Sequence, residues 1–296
     1  MDIMLVVPKK VIFLPLKFRI KQKSRNQMKM MRIKSFFVGL AILLFALPAS
    51  SQTLELGLFG GGSYYLGDLN AGMHFSDTKF SYGALARLNL NKRWAFKFSY
   101  NRGKLQSDDT KNAIVGNNGL NFQTVINDFA VVAEFNFLEY FTGSKKTYVT
   151  PYLFAGIGFF TFNPKSLDGV VLQGLGTEGQ NAGFDGRNVY NKWGISFPFG
   201  IGIKYSVSER IGLGLEWGMR KTFTDYIDDI SKSYYLSSSN IDPNNVAAVQ
   251  SDPAMTHEPY MQRGNDKTMD WFNFFGLSVT YKINLKSRLK CNMEGW

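Results

Sequence analysis

The sequence predicts an all-β protein: an eight-stranded antiparallel transmembrane outer-membrane β-barrel with long extracellular loops, made after a cleaved signal peptide. Three observations predict it. Eight segments alternate large apolar residues with small or charged ones, an export signal lies near the start, and the connections between segments alternate in length. The alternation is clearest from Ile211 to Lys221. There Ile211, Leu213, Leu215, Trp217 and Met219 are interleaved with Gly212, Gly214, Glu216, Gly218 and Arg220. Successive strand side chains point to opposite faces, so one face is apolar and the other small or ionic.

Composition excludes several classes. Among 296 residues there are 29 glycines and 9 prolines, and aromatics make up 15%, which does not suit a helical bundle. The formal charge of +11 suggests nucleic acid until its location is considered. Residues 1–51 hold ten Lys/Arg and one acid, so the remainder has 34−10 = 24 basic and 23−1 = 22 acidic residues, a net of +2. No nucleic-acid partner is expected.

Met31-Arg32-Ile33-Lys34 and the apolar run Phe36 to Leu47 form the first two parts of a secretory signal at 31–51. Ala49 and Ser51 place cleavage before Gln52. A membrane anchor is the alternative, but the run is too short for a ~30 Å hydrocarbon core. Residues 1–30 read as an upstream extension from a misplaced start codon. Cys291 is the sole cysteine, so neither an intrachain disulfide nor a lipid-modified cysteine after the cleavage site is expected. The barrel then occupies 52–285 and a tail 286–296.

In chain order, the expected strands are Thr53 to Tyr65, Phe80 to Leu90, Trp94 to Asn101 and a fourth within Phe122 to Phe137. Thr150 to Phe162, Trp193 to Tyr205, Ile211 to Lys221 and Met269 to Asn284 complete the set. Between them lie a turn-rich loop (66–79), a tight turn (Asn91-Lys92-Arg93) and a polar loop (102–121). A moderate connection (138–149), a glycine-rich loop (163–191), a short turn (206–210) and a very long loop (224–268) follow. Long loops outside, short turns in the periplasm and both termini inside are the outer-membrane arrangement. Trp94, Trp193, Trp217 and Trp271 sit where aromatic girdles are expected.

The inward face collects Glu55, Glu134 and Glu216 with Arg87, Lys97, Lys204, Arg220 and Lys282. Eight strands leave room only for side chains, so these charges are expected to pair into a plug that fixes register; a proton or ion path is the functional alternative. The spacings Gly212-x-Gly-x-x-x-Gly218 and Gly57-x-x-Gly-Gly-Gly62 precede no helix that could hold a phosphate, and read as small bore residues. Asp225, Asp228 and Asp229 form an acidic motif above the seventh strand. They could hold a hard cation, or pair with Arg220 and Lys221. His74 and His257 both fall in outside loops. No His/Cys cluster has metal spacing, and no cofactor is expected.

Several stretches carry a family likeness. Leu56 to Asn70, Arg220 to Ser231, Arg263-Gly-Asn, and Asp270-Trp-Phe through Tyr281-Lys-Ile resemble the PorG-like outer-membrane barrels of Bacteroidetes. The resemblance implies a component of the type IX protein secretion system, linked to a periplasmic ring of PorK and PorN type. It turns attention to the periplasmic turns, with Asn91, Lys92, Arg93, Lys145 and Lys146. Barrels of that family end near the last strand's aromatic residue; here Asn284 to Trp296 continue past Tyr281.

A non-enzymatic secretion component in contact with outer-membrane lipids and periplasmic ring proteins, with no small-molecule substrate, is therefore expected. A surface adhesin using its long loops is the alternative, and a lipid-modifying enzyme a third.

Overall fold

The computed structural model of the chain describes residues 53–109 and 118–284. The leader expected at 31–51, the extension expected at 1–30 and the expected tail at 286–296, with Cys291, lie outside the described residues.

The strands close an antiparallel barrel in sequence order: β1 (Thr53–Leu66), β2 (Lys79–Asn89), β3 (Trp94–Asp108), β4 (Asn121–Asn136), β5 (Val149–Thr161), β6 (Trp193–Ser206), β7 (Ile211–Thr222) and β8 (Trp271–Asn284). Following paired residues from Leu54 through Leu88, Phe96, Ala133, Ala155, Phe199, Met219 and Asn273 returns to β1 at Tyr64. The offset is 64−54 = 10 residues, a stagger that accompanies a strand tilt of roughly 35–45°.

Burial is inverted relative to a water-soluble sandwich. Leu58 and Ile157 are 71% and 70% exposed, whereas Glu55 and Glu134 are 0% exposed. Phe80, Phe98, Phe129, Ile195, Ile201 and Leu277 extend the exposed apolar surface around the wall. A continuous belt of this kind is stable only against hydrocarbon, which makes the chain a transmembrane barrel. Trp94, Tyr148, Tyr205 and Tyr281 ring the short-turn end, and Trp193 marks the other.

Two glycines shape the bore. Tyr152 and Phe154 of β5 point inward and are buried, opposite Gly202 and Gly200 of β6. A Cβ on Gly202 would lie 2.6 Å from the Tyr152 ring, and one on Gly200 would lie 2.7 Å from Phe154. Toward the long-loop end the bore becomes apolar. Phe59, Tyr65, Phe122 and Phe272 pack there with Leu172 of the β5–β6 loop and Ile227 and Ile230 of the β7–β8 loop. The long loops thus form a packed lid. The β7–β8 loop also holds a short helix, α1 (Val246–Ser251), capped by Asn245.

Three expectations are corrected. The third strand runs to Asp108 rather than Asn101, and its hairpin pairs up to Asp108 with Asn121. The stretch looks polar because it rises beyond the lipid: Arg102, Lys104 and Gln106 face outward, while Leu105 and Ser107 stay buried inside. The eighth strand begins at Trp271 rather than Met269. Trp217 is not a free girdle residue. Its indole donates to the Tyr64 hydroxyl at 2.9 Å, and His74 and Phe75 of the β1–β2 loop pack on it from outside.

Candidate functional site: the charged bore, the acidic lid and the short-turn end

Six strands contribute to one buried ion network. Arg87 (β2) donates from Nε to Glu134 (β4) at 2.7 Å and from Nη1 to Glu55 (β1) at 2.9 Å. Glu134 also receives Lys204 (β6) at 2.6 Å and stands 3.5 Å from Lys97 (β3). Lys97 continues to Glu216 (β7), which accepts the Tyr152 hydroxyl at 2.8 Å. The other oxygen of Glu55 accepts from Asn89 at 2.9 Å and from Thr142 at 2.6 Å. Removing one member would leave a buried charge uncompensated, a loss of about 3–5 kcal/mol.

Two inward cations lie apart from this network. Arg220 donates from Nε to Asp128 at 3.3 Å and lies 4.8 Å above the Phe274 ring. Lys282 donates to the Thr142 carbonyl and lies 4.6 Å above the Phe141 ring. Asp128 was not singled out in the sequence, although it shares strand parity with Glu134 six residues on. With Tyr140 and Thr142 buried at the short-turn end and the apolar lid at the other, side chains occlude the bore.

The acidic motif lies buried in the lid rather than against Arg220 and Lys221. Asp229 accepts the hydroxyls of Thr177, at 2.5 Å, and Tyr190. Burial pushes its carboxyl up to about 6 despite the Arg263 guanidinium beside it. Asp228 meets Tyr65 at 2.6 Å, as Asp270 does at 2.7 Å. Asp225 is 5% exposed and is pushed up to about 9, first by burial and then by Asp270. Among the described residues no three acidic, His or Cys side chains converge as a metal cage.

Glu178 ties the two longest loops together. It accepts from the backbone of Ser231 at 2.9 Å and Lys232 at 3.0 Å, and from Arg263 at 3.3 Å. Arg263 in turn donates to the carbonyls of Asp229 and Ser251. Only the Arg263-Gly-Asn stretch hinted at this, since Glu178 sits in a glycine-rich segment without periodicity.

The histidines are separate. His74 lies 3.1 Å from the Tyr64 hydroxyl on the outer wall. His257 pairs with Asp252 at 2.8 Å and stacks on Tyr234. The hydroxyl of Ser251 is donated to the Thr177 carbonyl at 2.6 Å.

At the short-turn end the connections are cross-linked. Asn91 accepts the backbone N–H groups of Arg93 and Trp94 at 2.8 and 2.9 Å, closing the β2–β3 turn. Lys92 pairs with Glu139 at 2.8 Å, and Arg93 donates to the Phe137 carbonyl at 2.7 Å. Gly143 N–H donates to the Ser206 hydroxyl at 2.7 Å, which joins the β4–β5 connection to the β6–β7 turn. Lys145 and Lys146 project from it, exposed.

No curated protein sequence matches the chain. Among solved structures it is similar to the Yersinia pestis attachment invasion locus protein Ail in complex with the heparin analogue sucrose octasulfate. That match has 9% identity, covers 79% of this chain and 99% of that one, and has a TM-score of 0.40. Neisserial surface protein A matches at 11% identity over 78% and 97% of the two chains, with a TM-score of 0.38. OprG of Pseudomonas aeruginosa matches at 9% identity over 79% and 96%, with a TM-score of 0.37. A family model covers residues 34–291, and the chain belongs to that family, described as Domain of unknown function (DUF6089).

Proposed function

We propose that the protein is a non-enzymatic outer-membrane component of type IX protein secretion, docking a periplasmic lipoprotein ring of PorK and PorN type through its short turns. An occluded bore favours a binding role over a conducting one. The observation that carries the reading is the cross-linked short-turn end. Lys92–Glu139 and Gly143–Ser206 join three connections into one platform bearing Lys145 and Lys146. The resemblance of Leu56–Asn70 and Arg220–Ser231 to PorG-like barrels supplies the identity of the partner. A photo-crosslinking residue at Lys145 or Lys146 should capture the ring lipoprotein in intact cells, and Lys145→Glu with Lys146→Glu should reduce that capture and secretion together. Recovery of the uncrosslinked barrel alone, with secretion intact, would reject the reading.

A second reading, surface adhesion, is favoured by Tyr260. This lid residue is 69% exposed, held at φ 70°, and packed at a tilt against Phe184, with ring centroids 5.0 Å apart. Such backbone strain in a presented aromatic is characteristic of contact sites. Tyr260→Ala should then abolish surface attachment while secretion continues.

A further inference from the structure

Tyr65, at the top of β1, touches two carboxyl groups of the β7–β8 loop. Its hydroxyl lies 2.6 Å from Asp228 Oδ2 and 2.7 Å from Asp270 Oδ1, and all three side chains are 1% exposed or less. Both separations are hydrogen-bond lengths for O–H···O pairs. A phenol has a single hydrogen to donate. It can make a linear bond to one carboxyl oxygen, and the other contact is a second linear hydrogen bond only if that carboxyl donates back to the phenol oxygen; otherwise two carboxylates share one hydrogen in a weaker three-centre bond. The remaining oxygens are already committed as acceptors: Asp228 Oδ1 to Ile230 N–H at 2.9 Å, and Asp270 Oδ2 to Ile227 N–H at 2.8 Å.

We propose that the Tyr65–Asp228–Asp270 contact is a proton-binding site, holding one proton beyond the phenol's own, and that this proton fastens the β7–β8 loop to the top of β1.

The surroundings favour proton uptake. Asp68 faces the pair from the β1–β2 loop and Asp225 faces Asp270 from the β7–β8 loop itself, while Glu178 of the β5–β6 loop stands behind both, against Asp68 and Asp225. The facing guanidinium, Arg263, is already engaged by Glu178. Of the groups nearest Asp225, the Ser231 hydroxyl favours its charged form, whereas Asp270, Asp68 and Glu178 oppose it. With acids outnumbering that cation, a second ionised carboxylate beside Tyr65 would be repelled by Asp68 and Asp225. Burial and these neighbours push Asp270 up to about 8 and Asp228 well above the ordinary carboxylate range. A carboxyl group raised in the closed lid and ordinary in an open one makes closure strongest at low pH. Closure then weakens by about tenfold per bound proton for each pH unit, and levels off above the raised value.

The test uses the full chain folded in detergent micelles. Infrared spectra at about pH 6 should show a carboxylic-acid carbonyl band, since an ordinary aspartate is ionised there. Asp270→Asn and, separately, Asp228→Asn should each lower its intensity, because an amide can donate to Tyr65 without a proton being bound. Amide-exchange protection of residues 224–270, corrected for the intrinsic rate, should fall as pH rises from about 5 to 8. Either variant should make that fall about tenfold shallower per pH unit. A wild-type spectrum with no acid carbonyl band overturns the proposal whatever the variants do. So does an unchanged band together with an unchanged exchange slope in a folded variant.

Discussion

Tyr152 and Gly202 face each other across the β5–β6 pairing, and the tyrosine ring occupies the volume a side chain at 202 would need. Gly202→Val should destabilise the barrel by about 1–3 kcal/mol through overpacking, measured by denaturant unfolding in micelles. Gly60 on the outer wall has no atom within 4 Å of an added Cβ, so Gly60→Val should leave stability nearly unchanged. Equal losses at both positions would refute the packing account.

Arg87 and Lys92 both make ion pairs, in different surroundings. Arg87→Met strands Glu55 in the bore, whereas Glu134 keeps Lys204 and Lys97, and should cost about 3–5 kcal/mol. Lys92→Ala breaks a pair whose side chains are 64% and 48% exposed and screened by solvent, and should leave the unfolding midpoint nearly unchanged. Unfolding midpoints of the two variants, compared at low and high salt, check the contrast.

The outer wall should reject charge according to depth. Ile157 lies mid-strand and 70% exposed to the bilayer, so Ile157→Arg should cost about 2–4 kcal/mol in folding from urea into vesicles. The heat-dependent gel shift of folded barrels reports the yield.

Asp225 carries a pH signature of its own. Its carboxyl is pushed up to about 9, so the folded lid binds a proton that the unfolded chain releases near its ordinary value. Stability is therefore lost as pH rises between those two values. Asp225→Asn should be stabilising, with an advantage that grows from pH 5 to pH 8.5 in thermal unfolding; a constant difference would contradict it.

The strands were legible because the bilayer imposes a two-residue rhythm that Leu213–Met219 or Phe96–Tyr100 display directly. The rhythm also separates inward from outward charges, so Glu55, Arg87 and Glu134 could be grouped before any coordinates. Partners could not be assigned that way. Arg220 meets Asp128 of β4, and Lys282 meets a carbonyl of the β4–β5 connection, because stagger and tilt decide which residues share a depth. The lid was hidden for a different reason. Glu178 and Arg263 are joined by three-dimensional packing of loops that have no period, Tyr65 of β1 meets Asp228 and Asp270 by the same packing, and a buried acid such as Asp228 looks like a solvated one in a string of letters.

Of the eight strand pairings, only β1 with β8 has no connecting turn to hold it. At that join the β1–β2 loop bends back along the outside, and Phe75 rests on Tyr64 of β1 and Phe275 of β8, with ring centroids 5.0 Å away in both cases. The cylinder is thus stapled from without at the seam where a sheet most easily parts. Any sideways exit into the bilayer at this seam would first have to peel the loop away.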